Sequence, residues 1–453
     1  MSIKTLPILA SNAWLSGLLF SVLLPVMLLL TPALRADTLG QAFAQAYASN
    51  AAIQAQQAQV RASGYDLQKA RAGYKPQVSV GAGLGTAHND LASPLFPIST
   101  YPLNTKSAGL TITQPLYTGG QVSSNVDAAE SSQAAQLASL NATEEQVFLD
   151  VAVTYMDVVR DQAVEKLENN NVKVLKKQLA ATQAEFENGE VTHTDVAQAE
   201  ARLAGAQASL IQAQGALATS RAAYVRVVGN ESGVLQQPVM PESLPTTQAD
   251  AVQLALKNYP VLAARYAENA AQQQANAVAG KLLPNVALTG QLLESLDPQI
   301  GFSRVDTRSI MLTISMPLYA GGALTAEKHA AQQRADASHD DLLDAERQAQ
   351  LDAVNAWQSY QTAGAKLAAI RSQIQAQQIA ASGVKDEAAV GERTTLDVLN
   401  ADQELLNDRV NLIRAQRDLL VSAYALKAAT GQLTAQHLHL QPPPAAHQSG
   451  MGN

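Results

Sequence analysis

The chain says one phrase twice, and that repetition constrains its fold more than any other feature. Residues 114–122 read QPLYTGGQV, and residues 316–324 read MPLYAGGAL. Pro115 matches Pro317 at a shift of 202 residues. Gly119, Gly120, Gly189, Asp195 and Gly229 match Gly321, Gly322, Gly391, Asp397 and Gly431 at the same shift. Upstream, Asn50 matches Asn258 and Pro76 matches Pro284 at a shift of 208, so the first copy carries six extra residues between Pro76 and Pro115. Insertions settle in exposed loops. Whatever one copy builds, the chain builds twice, and the two copies must pack together.

Within a copy the apolar period changes. Short helices are expected near 38–48 and 51–73. Pro76 ends helical patterning, and Val78, Val80, Ala82 and Leu84 then alternate, as do Ala108, Leu110 and Ile112. The second copy repeats this with Val286, Leu288 and Leu292, then Ile310, Leu312, Ile314 and Met316. A period of two over such lengths predicts strands. We place them at 77–85, 107–117, 285–293 and 309–318, with 86–106 as a loop rich in proline. These lengths approach the ~9–11 residues of a membrane-crossing strand. Four strands cannot close a barrel, and an open edge in lipid is forbidden. Either the sheet stands in water, or several copies of the chain pool their strands.

After each PLY-x-GG the pattern turns helical, without proline, as far as Gly189 and Gly391. Runs of this length, roughly 65 residues, would span about 100 Å. The turns NGEVTHTD and VGERTTLD follow, where glycine ends one helix and threonine or aspartate caps the next. Each return helix is shorter and ends at Gly229 or Gly431. Stacked end to end with the short helix that precedes the strands, it would equal the outgoing rod in length. PLY-x-GG then marks a strand-to-helix junction. Pro115 and Pro317 suit a strand end, Tyr117 and Tyr319 suit a membrane interface, and the paired glycines suit a sharp turn. An ordinary strand-to-helix loop used twice fits the same residues taken singly.

Composition narrows the rest. Lys4 followed by LLFSVLLPVMLLLTPALRA and ending at Ala36 predicts a secretory signal peptide over 1–36. Cysteine is absent, which excludes disulfides, thiol nucleophiles and an amino-terminal lipidated cysteine. The formal net charge of −8 predicts that nucleic acid is no partner. We find no nucleophile elbow, phosphate loop or metalloprotease helix, and expect no enzyme, cofactor or metal. Glu144 and Glu145 adjoin, but neighbouring helix positions do not form an acid/base pair. Trp357 reads as packing. His437 and His439 read as part of a loose tail, with disorder expected over 441–453.

In this order, and twice over, these motifs resemble the TolC-type outer membrane efflux proteins. The resemblance covers essentially all of the chain after residue 36, and VGERTTLDVLNADQELLNDRVNLIRAQ at 390–416 is its most specific stretch. It implies a mainly α fold with membrane β: a homotrimer with a 12-stranded outer membrane β-barrel, four strands from each protomer. A long periplasmic α-helical barrel of coiled-coil hairpins would continue it. The repeats would be 37–240 and 241–440, with hairpin tips near 188–195 and 390–397. The implied function is the exit duct of a tripartite efflux pump or a type I secretion system of a Gram-negative cell. Its partners would be outer membrane lipid, a periplasmic adaptor and an inner-membrane pump of RND or ABC type.

The same resemblance assigns residues. Arg393, Asp397 and Asn400 would form the pore constriction, with Thr194 and Asp195 as partners of the closing network. Asn400 stands where the family carries a second acidic group, and Ala388 where it carries a tyrosine. A gate with fewer polar ties, among them Arg393 to Thr194, is therefore expected. Gly189, Glu190, Val191, Gly391 and Glu392 would dock the adaptor. On residues alone, Asp195 and Asp397 equally suit helix capping. The alternative of another class is a secreted coiled-coil structural or adhesin protein that never forms a pore.

Overall fold

The structure, a computed structural model, describes residues 38–93, 96–299 and 302–440. The expected signal peptide and the 441–453 tail lie outside the described residues. Two short helices, α1 (Leu39–Ser49) and α2 (Ala51–Arg71), lead into a hairpin of β1 (Gln77–Ser93) and β2 (Phe96–Thr118). Helices α3 (Gln121–Glu187) and α4 (His193–Val228) follow. The second copy runs α5 (Gln248–Ala255), α6 (Tyr259–Gly280), β3 (Asn285–Gln299), β4 (Phe302–Ser315), α7 (Ala323–Ala389) and α8 (Thr395–Ala429). Both outgoing helices have 67 residues, about 100 Å at 1.5 Å per residue.

The strands make one antiparallel sheet in the order β1-β2-β3-β4. The expected loop at 86–106 is corrected: β1 and β2 stay paired from Gln77↔Thr113 through His88↔Pro102 to Ser93↔Phe96. Antiparallel pairing satisfies backbone groups well past the apolar stretch, so alternation of apolar residues alone underestimates the ladder. Pro97 and Pro102 lie where β2 has lost β3 as a neighbour, above Lys106↔Leu296, and proline is tolerated at such an edge. The second hairpin also differs from expectation. It extends upward to Gln299 and Phe302, and β4 ends at Ser315, short of Pro317.

Register places one set of side chains on one face. Cross-strand rows read Val78–Ile112–Gly290–Ile310 and Val80–Leu110–Leu292–Arg308, while Leu288–Leu312 and Val286–Ile314 continue below. Val80, Leu84, Ile310 and Ile314 stand far out on this face, at 63% exposure or more together with Val78.

The two PLY-x-GG junctions differ in setting. Pro115 lies inside β2 at a bulge, where Pro115 faces Ala287 and Tyr117 faces Val286. A bulge frees the position from the ladder hydrogen bond that proline cannot make. Gly119 and Gly120 then take left-handed φ of 63° and 78° to enter α3. A Cβ on Gly119 would overlap the Gly280 carbonyl and crowd Leu283, so only glycine fits against the end of α6. In the second copy Pro317 and Tyr319 follow the strand, Tyr319 is 89% exposed, and Gly321 faces open space.

Each return helix is spliced to a short one by an asparagine. Asn50 caps α2 by accepting from the Ala52 amide, while its Nδ2 donates to the Val227 carbonyl at the end of α4, 3.0 Å away. Asn258 caps α6 in the same way, and its Nδ2 donates to the Ala428 and Ala429 carbonyls at the end of α8. One side chain thus satisfies the orphan amides of one helix and the orphan carbonyls of another. Helix α3 packs along both α4 and α2 on one side and along α6 and α8 on the other; α7 packs along α6 and α8.

The largest apolar cluster joins α1, α3, α4, α8 and residues 433–440. Phe43 meets Phe148 edge-on, with centroids 5.6 Å apart, and Tyr155, Tyr224 and Tyr424 complete the aromatic centre. Burial of several aromatic side chains contributes most of the local stabilisation. A smaller cluster holds Ala251, Ala255, Ala353 and Leu426, with Trp357 beside it.

Candidate functional site at the hairpin tips

The two hairpin turns are built alike. Gly189 and Gly391 adopt φ of 77° and 85° and end the outgoing helices. Thr192 and Thr394 then cap the return helices, in each case with a reciprocal box. The Thr192 amide and hydroxyl donate to Asp195 Oδ2 at 2.8 and 2.7 Å. The Thr394 amide and hydroxyl donate to Asp397 Oδ2 at 3.0 and 2.8 Å. The acidic residue occupies the third helical position and satisfies amides at the cap. Hydrogen bonds from the Thr192 hydroxyl and amide hold the Asp195 carboxyl below its usual range. Those from Thr394, aided by the Arg393 charge, do the same for Asp397. Both carboxylates are partly exposed, and ionised at neutral pH.

Within the protomer Arg393 makes no contact with Thr194. Its Nε donates to Glu387 Oε2 at 2.8 Å, inside the same hairpin. In one protomer the local pairing is made in place of that tie: six residues of separation offer the guanidinium a carboxylate, whereas Thr194 offers only a hydroxyl on the other hairpin. Asn400 accepts instead from Arg202 Nη2, linking α8 to α4. Gly189, Glu190, Val191, Gly391 and Glu392 are grouped at the turns, and Lys385 and Asp402 pair across the second hairpin at 2.7 Å.

Three features escaped the sequence. Arg202 has its partner 198 residues away, and no local pattern points to it. Higher up, Asp157 Oδ1 accepts from both Arg160 and Arg417, at 2.8 and 2.9 Å, joining α3 to α8. Between these two ties a cleft of about 800 Å³ separates α4 from α8 over α3, with Glu168 at its wall.

The third is the Glu144–Glu145 pair. Both side chains are buried: Glu145 Oε1 accepts from the Leu433 amide and Glu144 Oε2 from the Ala435 amide, each at 3.3 Å. Burial pushes the Glu145 carboxyl up to about 8, opposed by the Leu433 amide and reinforced by Glu144; burial also raises Glu144. The pair pins residues 433–440 to α3. His437 belongs to this pinned segment, with Nδ1 2.9 Å from Thr434 Oγ1, so the histidines are not part of a loose tail.

The chain matches the family model described as "Outer membrane efflux protein" over residues 42–230 and again over 251–432. It belongs to the outer membrane efflux protein family. The two matched stretches coincide with the two copies read from the sequence. It is 34% identical over 427 residues to the outer membrane efflux protein BepC of Brucella suis, covering 93% of this chain and 91% of that one. It is 28% identical over 422 residues to the outer membrane protein TolC of Vibrio cholerae, covering 90% and 93%. Among solved structures, the Campylobacter jejuni outer membrane channel CmeC superposes with a TM-score of 0.77 at 16% identity, covering 87% of this chain and 85% of that one. The fold is that of the outer membrane channels, and membership of the family places the chain in the outer membrane of a Gram-negative cell as an efflux or secretion channel.

Proposed function

We propose that three copies of this chain close a 12-stranded barrel and serve as the exit duct of a tripartite efflux system, with type I secretion as the second use. The observation that carries this is the sheet itself. It has four strands, an apolar face and two unpaired edges, β1 and β4. Such edges are intolerable in hydrocarbon, and closure by symmetry removes them. A threefold ring uses the β4 edge of one copy against the β1 edge of the next. Efflux leads because the likeness to an efflux protein runs the length of the chain.

The hairpin tips form the gate and the docking end. Asp195 and Asp397, ionised and repeated three times, make rings that gather cations and repel anions. Capping by Oδ2 leaves the carboxylate charge in place, so the structural and the electrostatic roles coexist. The turns at Gly189, Glu190, Val191, Gly391 and Glu392 meet a periplasmic adaptor, which an inner-membrane pump of RND or ABC type engages. Arg202–Asn400 is the tie between hairpins that the adaptor must loosen, a two-state contact of the kind partners bias.

Planar-bilayer recording of the purified trimer tests this. Arg202→Ala is expected to raise single-channel conductance at least twofold, and Arg393→Ser to leave it within about a third of the parent, since Arg393 pairs inside its own hairpin. Asp397→Asn keeps a cap acceptor but removes the charge, and cation preference should fall. A chain that remains a water-soluble monomer, or cation preference that is identical in the Asp397→Asn channel, overturns the reading.

A further inference from the structure

We propose that the outward face of the sheet carries a binding site for a phosphate-bearing glycolipid of the outer leaflet, held by Arg308 and Lys106 above an apolar groove. The inference rests on the sheet crossing lipid as a channel wall. The Tyr319 junction sets the periplasmic level, where amphipathic rings collect. From Ser315, where β4 ends, to Arg308 the strand climbs seven positions, and to Arg304 eleven. At about 3.3 Å per residue and a tilt near 40°, Arg308 stands roughly 18 Å up the strand and the row of Lys106 and Arg304 roughly 28 Å, close to the ~25 Å height of a barrel's apolar band. Below Arg308 its own face carries Ile310, Leu312 and Ile314. At Arg308 the face changes character. The same row and the two above it add Arg308, then Glu294 and Asp306, then Lys106 and Arg304.

The charges in this patch are not balanced internally. Arg304 pairs with Glu294 at 3.3 Å and with Asp306 at 3.0 Å. Arg304 contacts both carboxylates but balances only one, so the three cations and two carboxylates of the patch leave a net charge of +1. Arg308 and Lys106 have no ion-pair partner among the described residues; Lys106 sits at the height where the apolar band ends, and Arg308 roughly 10 Å below it, within reach of a side chain that extends upward. Long cationic side chains at this level extend their charge to the headgroups, and a guanidinium offers paired donors to phosphate oxygens.

Shape agrees with charge. Two shallow grooves adjoin at Arg308. The lower, about 460 Å³, is lined by Leu110, Ile112, Leu292 and Ile310 and suits an acyl chain. The upper, about 530 Å³, has an apolar floor that includes Leu110 and Leu292 and is rimmed by Arg304, Arg308, Asp306 and Glu294, which suits a headgroup that carries hydroxyls as well as phosphate. An occupant with acyl chains below and phosphate above meets both. A free phosphate meets only the second.

The full-length trimer would be purified in mild detergent and incubated with diphosphorylated lipid A, with its dephosphorylated form, or with inorganic phosphate. Bound glycolipid would be measured by mass spectrometry after gel filtration. We expect the parent to retain the diphosphorylated lipid at least fivefold better than the dephosphorylated one. Arg308→Gln combined with Lys106→Gln should lose this preference, and Arg308→Lys should keep part of it. Inorganic phosphate at millimolar levels should not displace the lipid. Equal retention of the two lipids by the parent, unchanged preference in the double variant, or full displacement by inorganic phosphate overturns the site. If the double variant fails to assemble, the comparison of the two lipids on the parent trimer decides alone. A heat-resistant trimer that conducts in bilayers but shows no lipid preference sinks this inference and leaves the channel reading intact.

Discussion

The two PLY-x-GG junctions share a sequence and differ in their surroundings. At the first, Gly119 is pressed against Gly280, and β2 is flanked on both sides. At the second, Gly321 has open space around it, Tyr319 is bare, and β4 has no outer neighbour. The helices tell the same story. Val151 and Tyr155 of α3 are fully buried in the aromatic cluster; their repeat mates on α7, Ala353 and Trp357, sit in a much smaller one. The first junction is interior and the second lies at an edge of the protomer. The difference teaches that the second copy's surface is shaped for a contact the single chain cannot make. In the proposed ring, Gly321 would face the neighbouring protomer near Ala72, the repeat mate of Gly280; a Cβ at Gly280 would overlap the Gly119 carbonyl, so the approach to Ala72 must be looser than that of Gly119 to Gly280.

Substituting the two glycines tests this contrast most severely. Gly119→Ala forces a Cβ into the Gly280 carbonyl at a left-handed φ, and should abolish folded trimer in membrane fractions. Gly321→Ala meets nothing within the protomer, so strain alone costs about 1–2 kcal/mol. We expect it to cut heat-resistant trimer severalfold while monomer helicity by circular dichroism is kept. A Gly321→Ala trimer as abundant as the parent would break the equivalence.

The next effect is proton-linked, and it separates the copies because Glu145 corresponds to Arg347 in the second. The Glu145 carboxyl titrates at about 8 when folded, against 4.5 as its ordinary value. The folded state therefore holds a proton that the unfolded chain releases. This contribution is fully present below about pH 4.5 and is lost as pH rises through about 8. Thermal melting of the trimer should drop across that window in the parent, and Glu145→Gln should flatten the drop. An equally steep slope in the Gln variant would mean that another group carries it.

The smallest effect compares the splices. Asn258→Ala leaves two helix-end carbonyls without their donor, and Asn50→Ala leaves one. Each should destabilise by about 1–3 kcal/mol, with Asn258 the costlier. Chemical denaturation midpoints that rank them in reverse would show that the two splices are not equivalent in use.

The sequence by itself determined the tandem repeat, the strand-then-long-helix order, the glycine turns and the capping residues. These depend on chain neighbours: period two against period 3.6, proline that cannot donate, and glycine where φ is positive. Only the tertiary structure decided how far the hairpins extend past their apolar stretch, because backbone pairing is indifferent to side-chain polarity. It alone decided that Arg393 pairs with Glu387 while Arg202 holds Asn400, and that Glu144 and Glu145 are buried against residues 433–435. Those partners are chosen by which helix faces are brought together across distances of up to about 290 residues of chain. No local spacing encodes that choice, since the same charged residue would serve equally well in water until packing selects its neighbour.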